Sequence, residues 1–150
     1  MQHMRNTWVA KRQIDAGRAV AEINEAIEWS DWHHAVRREY GVIHTRFNPD
    51  RQVALRACQR ALADDPYYIN NLVNAAGIEI ELGKPAAARH HLEQALHIND
   101  RLHLAHYALG LVSEAQGDRT AALAEFRKCL ELDPNFQQAR ARITADSKGP

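Results

Sequence analysis

The chain has 150 residues, enough to bury a real apolar core. Lys plus Arg number 19 and Asp plus Glu number 19, a formal net charge of zero, which excludes the electrostatic footprint of a dedicated nucleic-acid binder and argues against an anionic membrane surface as the main partner. No apolar run approaches the roughly 18 residues of a membrane span, and the first residues lack the apolar core of a signal peptide.

Residues 5–29 read as one long helix or a worn helix pair, with Ala16, Val20, Ile23 and Ile27 on one stripe. Within it, Ala19-x3-Ile23-x2-Ala26-Ile27 is a small-then-large apolar signature. Ser30 or Asp31 then starts a helix through Trp32, Val36, Tyr40 and Ile43, which ends near Phe47 before the turn Asn48-Pro49-Asp50. The signature returns as Ala54-x3-Cys58-x2-Ala61-Leu62, closed by Asp65-Pro66. A helix from about Tyr68 to Leu82 leads through Gly83-Lys84-Pro85 into Ala88-x3-Leu92-x2-Ala95-Leu96, closed by Asn99-Asp100. Proline at a first helical position loses no useful donor. The next helix runs from about Arg101 to Gln116, with Leu104, Ala105, Ala108, Leu109, Leu111 and Val112 apolar. Gly117-Asp118 stops it and caps its successor, since glycine tolerates the left-handed region and Asp accepts orphan N–H bonds. That successor carries Ala122-x3-Phe126-x2-Cys129-Leu130 and ends at Asp133-Pro134. A last helix, Asn135 to about Ala145, turns Ala139 and Ile143 inward and Arg140 and Arg142 outward.

The first residues of the four signatures, Ala19, Ala54, Ala88 and Ala122, lie 35, 34 and 34 apart. A fixed period of that length means one helix pair repeated and stacked. Each alanine lets a neighbouring helix approach, and the larger side chain beside it fills the hollow. The extra residue behind the spacing of 35 belongs in a turn, where insertions are tolerated. An array must be capped at both ends by helices with a polar outer face, and residues 1–30 and 137–150 fit that role around an array at 31–136.

Few residues suggest chemistry. Cys58 and Cys129 occupy equivalent apolar stripes two repeats apart, which suits packing better than bridging and is compatible with a reducing compartment. His103 and His106 share a helix face, and His90, His91 and His97 lie on the preceding helix. A zinc site needs three or four converging ligands, and solvated surface histidine is the better reading; no metal and no cofactor are expected. No phosphate loop, nucleophile elbow or HExxH motif occurs. Asp64-Asp65 reads as a helix-capping turn. Trp29 and Trp32 read as aromatics packing the N-terminal helix onto the array.

In the last full unit, Leu109-Gly110, Ala122, Phe126 and Pro134 fall at the spacing of the tetratricopeptide repeat pattern. The chain resembles that family over roughly residues 35–136. It departs at Ser113, where tyrosine is usual, at His106, at Asp100 and at Ala75-Ala76. The resemblance implies an all-α fold: a right-handed superhelical array of antiparallel helix pairs, about three repeats with capping helices at both ends. It also implies a concave groove, lined by the first helix of each pair, that holds a peptide or helix of another protein, with no enzymatic activity.

Taking the sides of the first helices that face away from the packing stripe nominates Asn70, Val73, Asn74, Gly77 and Ile80 in the middle unit. In the last unit it nominates Leu104, Tyr107, Leu111 and Glu114. Asn70 and Asn74 point the same way, and a carboxamide that both donates and accepts can clamp a peptide backbone; alternatively Asn70-Asn71 fray and cap a helix start. Tyr107 offers a rigid contact area with a polar tip. One subclass of the family grips acidic chaperone tails through Lys, Arg and Asn. Here Asn74 fits and Arg38 is a second candidate, but Val42, Leu104 and Ala108 stand where polar or basic residues are needed. The expected partner is therefore a protein or peptide with apolar anchors, with no nucleic acid and no membrane insertion, in the cytoplasm. Two alternatives stay open. One is a small chaperone-like adaptor of the secretion-chaperone type, a homodimer through its N-terminal helix. The other is the recognition fragment of a larger enzyme or membrane-assembly protein, with which a cloning-derived His3-Met4 would be compatible.

Overall fold

The computed structural model describes residues 16–29 and 34–147. Among them are eight α-helices and no strand: α1 (Ala16–Trp29), α2 (His34–Phe47), α3 (Arg51–Asp64), α4 (Ile69–Glu81), α5 (Pro85–Ile98), α6 (His103–Ala115), α7 (Arg119–Leu132) and α8 (Gln137–Ser147). These are antiparallel helix pairs, as the period predicts. Residues 1–15, Ser30, Asp31 and Trp32 and the Trp29 side chain, on which some expectations fell, lie outside the described residues.

The turn residues act as their chemistry requires. Asp50 caps α3, accepting from the N–H groups of Gln52 and Val53 at 2.9 and 3.1 Å. Asp118 caps α7, accepting from the Ala121 N–H at 2.9 Å. Pro85 opens α5. Gly83 and Gly117 follow α4 and α6 at φ 69° and 79°, and each turn closes with a bond two residues deeper into the helix: Lys84 N–H to Glu79 O and Asp118 N–H to Ser113 O. A side chain at either glycine would be strained.

Contacts divide the chain into two compact units, residues 1–78 and 79–150. In the first, α1 packs Ala19, Ile23 and Ala26 against Val36, Ile43 and Phe47 of α2, flanked by Val20, Ile27 and Tyr40. The buried stripe of α1 is thus led by Ala19, Ile23 and Ala26, the signature itself. On α3, Ala54, Leu55, Ala57, Cys58 and Ala61 are buried. Asp64 and Asp65 do more than end α3: they pair with Arg37 at 3.0 Å and Arg38 at 3.3 Å.

In the second unit, Ala122, Phe126 and Cys129 of α7 meet Ala139 of α8, with Tyr107, Leu111, Leu130, Phe136 and Ile143 packed around them. Phe126 is 1% exposed; burying such a side chain stabilises by about 1.5–3 kcal/mol. Both cysteines are free and buried. Cys58 lies 3.1 Å from Thr45 Oγ1, and burial and Asp133 push the Cys129 thiol up. Arg140 and Arg142 are exposed, as expected.

Candidate peptide-binding face

The nominated residues fall on two helices and divide between the units. On α4, in the first unit, Asn70 is exposed while Val73, Asn74 and Gly77 are half-buried. The Asn70 amide donates to Tyr68 Oη at 3.2 Å. Open space surrounds the Gly77 Cα, so a side chain would fit there. Asn74 keeps a carboxamide on this face. Arg38 is held by Asp65 and lies over the Tyr68 ring, 5.6 Å from its centroid; its charge is already paired.

Asn71 neither frays nor caps. It is fully buried, and its amide donates to the Arg38 carbonyl at 3.0 Å. Its Oδ1 has no partner and lies where a Cβ on Gly41 would stand. Asn71 therefore explains the glycine at position 41, a relationship the sequence pattern did not reveal.

In the second unit, Ile80 is half-buried near the end of α4. Leu104 is 48% exposed on α6, while Ala105, Leu109 and Val112 on the same helix are buried. Tyr107 and Leu111 are half-buried and belong to the packing of α7 and α8: the Tyr107 ring lies 5.7 Å from Phe126 and 5.1 Å from Phe136, centroid to centroid. Leu104 is thus the most open apolar side chain of this strip. Glu114 is exposed and paired with Arg142 at 2.9 Å. A hollow of about 420 Å³ opens beside that pair.

The histidines depart from the expectation of a solvated surface. His44 is 2% exposed, its Nε2 3.0 Å from Asn24 Oδ1 and its Nδ1 3.0 Å from the Asn48 amide, and burial pushes its pKa down. His91 meets the buried Glu79 at 2.8 Å. His106 meets Glu125 at 2.7 Å, and Lys128 reaches the same carboxylate at 2.9 Å. Burial alone would raise Glu125, but the bonds and charges of His106 and Lys128 outweigh it and its pKa falls. Helical spacing placed His91 and His106 on faces without revealing that each has a carboxylate opposite. His90 and His97 are exposed. Among the described residues no three His, Cys, Asp or Glu side chains converge as a metal site.

The tetratricopeptide repeat family model matches residues 103–136, from α6 through the turn after α7. No curated protein matches the sequence. Among solved structures, a crystal structure of MamA protein aligns over 98% of this chain and 80% of its own at TM-score 0.85 and 17% identity. YrrB, described as a TPR protein with an unusual peptide-binding site, aligns over 95% of this chain and 73% of its own at TM-score 0.84 and 14% identity. A tetratricopeptide repeat protein from Parabacteroides merdae aligns over 94% of this chain and 56% of its own at TM-score 0.79 and 23% identity. At these identities the likeness is one of fold. Residues 103–136 are a tetratricopeptide repeat, and the chain carries the tetratricopeptide repeat fold.

Proposed function

We propose that this chain is a non-catalytic interaction scaffold that holds a peptide or helix of a partner protein against the open faces of its first helices. The observation that carries the reading is Leu104: a leucine 48% exposed on α6, whose inner face is already filled by Ala105, Leu109 and Val112. A large apolar group left open on that side is suited to meet a partner's apolar anchor. Asn74, half-buried on α4, supplies a donor and an acceptor suited to a peptide backbone. The fold shared with YrrB, whose structure is described as having a peptide-binding site, supports the same reading. Among the described residues no helix is long and apolar enough to cross a membrane.

A peptide-array screen with the whole chain, followed by anisotropy titrations of Leu104→Ala and Asn74→Ala, tests this. At least one variant should weaken the best array ligand; wild-type affinity in both would refute the reading. Tyr107→Ala is a poorer probe, because that ring also supports Phe126 and Phe136.

A further inference from the structure

Gly41, Cys58 and Asn71 bring α2, α3 and α4 together at one point inside the first unit. All three are buried, Cys58 and Asn71 completely. A Cβ built on Gly41 would stand 2.5 Å from Asn71 Oδ1 and 3.0 Å from the Cys58 Cα. The Asn71 amide donates to the Arg38 carbonyl at 3.0 Å, while Oδ1 is left without a partner. A buried acceptor without a partner weakens the folded state. The same carboxamide penalises more heavily any alternative packing in which its one bond is also lost.

The registers 34 residues apart show what this point is set against. Because the stacking stripe repeats, it does not by itself distinguish one first helix of a pair from another. The registers of Gly41 and Asn71 break that equivalence. One period later they hold Ala75 and Ala105, and two periods later Leu109 and Ala139, all four buried. An alanine laid opposite Gly41 would leave the Arg38 bond unmade and the carboxamide volume empty. Asn71 laid opposite an alanine would meet a Cβ where Gly41 has none.

We propose that Asn71 is a stacking key: it commits α4 to the helix that carries Gly41 and rejects the alanine-bearing first helices of a second copy of the chain. The attractive half of the key is the bond to the Arg38 carbonyl. The repulsive half is the close approach of Oδ1 to the Gly41 Cα, which only glycine permits. A single buried asparagine fixes register in the same way where helices pack through repeating apolar seams, at a cost in stability. Rejection of near-equivalent surfaces is what keeps repeated sequences specific. The consequence is a chain that stacks on its own repeats instead of exchanging them between copies, whatever its open faces hold.

The test refolds the full chain from urea at rising protein concentration, read by size exclusion with light scattering and by amide resonances. Asn71→Ala removes the key without adding volume. Gly41→Ala with Asn71→Ala installs the alanines of the next registers. Gly41→Ala alone should lower the urea midpoint, and adding Asn71→Ala should recover most of that shift, the approach to the Cys58 backbone leaving the remainder. Wild type should refold to one species with one set of resonances. Both variants that lack the asparagine should give a larger oligomeric fraction, growing with concentration, or doubled resonances in α2 and α4. Failure of Asn71→Ala to recover the Gly41→Ala midpoint overturns the contact and the key with it. Either asparagine-free variant refolding as wild type does overturns the key, as does a wild-type chain that refolds to several species.

Discussion

Phe126 lies so close to Gly110 that a Cβ built on the glycine would overlap the aromatic ring. The ring is 1% exposed and packs against Tyr107. Gly110→Ala should therefore cost about 1–3 kcal/mol by overpacking, read from urea unfolding. One repeat earlier the same registers hold Ala76 and Leu92, which suggests that a smaller large residue tolerates the methyl. In a Phe126→Leu background the alanine should cost markedly less, and additive losses in that double-mutant cycle would refute the steric account.

The period that made the fold readable consists of residues such as Ala88, Leu92 and Ala95, whose burial repeats with the helix pair. Their partners are other repeating residues, so spacing alone identifies them. Asn71, His91 and His106 were not readable in this way. What each meets, the Arg38 carbonyl, Glu79 and Glu125, is a single side chain or carbonyl across a helix interface, with no counterpart in the next repeat. Asn74 and Leu104 were reachable because an open face follows from helical phase once the packing stripe is known.

Asn71 is buried with one amide bond made and its Oδ1 unpaired. Asn71→Ala loses the bond but also removes an unsatisfied acceptor, so the net cost should be only about 1 kcal/mol. Asn71→Asp keeps the shape and places a carboxylate against the Arg38 carbonyl with no donor. Its cost should be several-fold larger, on the order of 3 kcal/mol or more. Urea midpoints that rank the aspartate variant equal to the alanine variant would contradict this account.

His44 makes the first unit sensitive to acid. Asn48 Oδ1 accepts from the Asp50 N–H at 3.0 Å, which turns its NH2 toward His44 Nδ1. The network thus assigns the proton to Nε2, donating to Asn24, and leaves Nδ1 as acceptor. A second proton would face a donor in a buried site. Burial sets the folded pKa below 6.5, so the unfolded chain takes up the proton first as pH falls. Stability is full above 6.5, declines as pH drops toward the folded value, and then levels. Urea unfolding between about pH 7.5 and 5.5, the range in which histidine titrates, should show this loss in wild type. His44→Gln, less stable at the higher pH, should lose less across the interval; an unchanged slope would remove His44 as the cause.

Each unit contains one buried thiol, Cys58 in the first and Cys129 in the second, so labelling reports on each separately. Neither should react with a disulfide reagent until its surroundings open, and Cys129 is further disfavoured by a raised pKa from burial and Asp133. Acid should affect the two differently. His44 withdraws stability from the first unit as pH falls below 6.5. In the second unit Glu125 has a depressed pKa, so its contribution is present above 4.5 and is lost only as pH falls further through the folded value. Between those limits, labelling of Cys58 by dithiodipyridine, normalised to the denatured chain, should accelerate relative to Cys129. Single-cysteine variants Cys58→Ala and Cys129→Ala, read by mass spectrometry, resolve the two rates. Equal acceleration at both sites would mean that the units open as one, and that the acid response belongs to the whole array rather than to the pairing of α1 with α2 through His44.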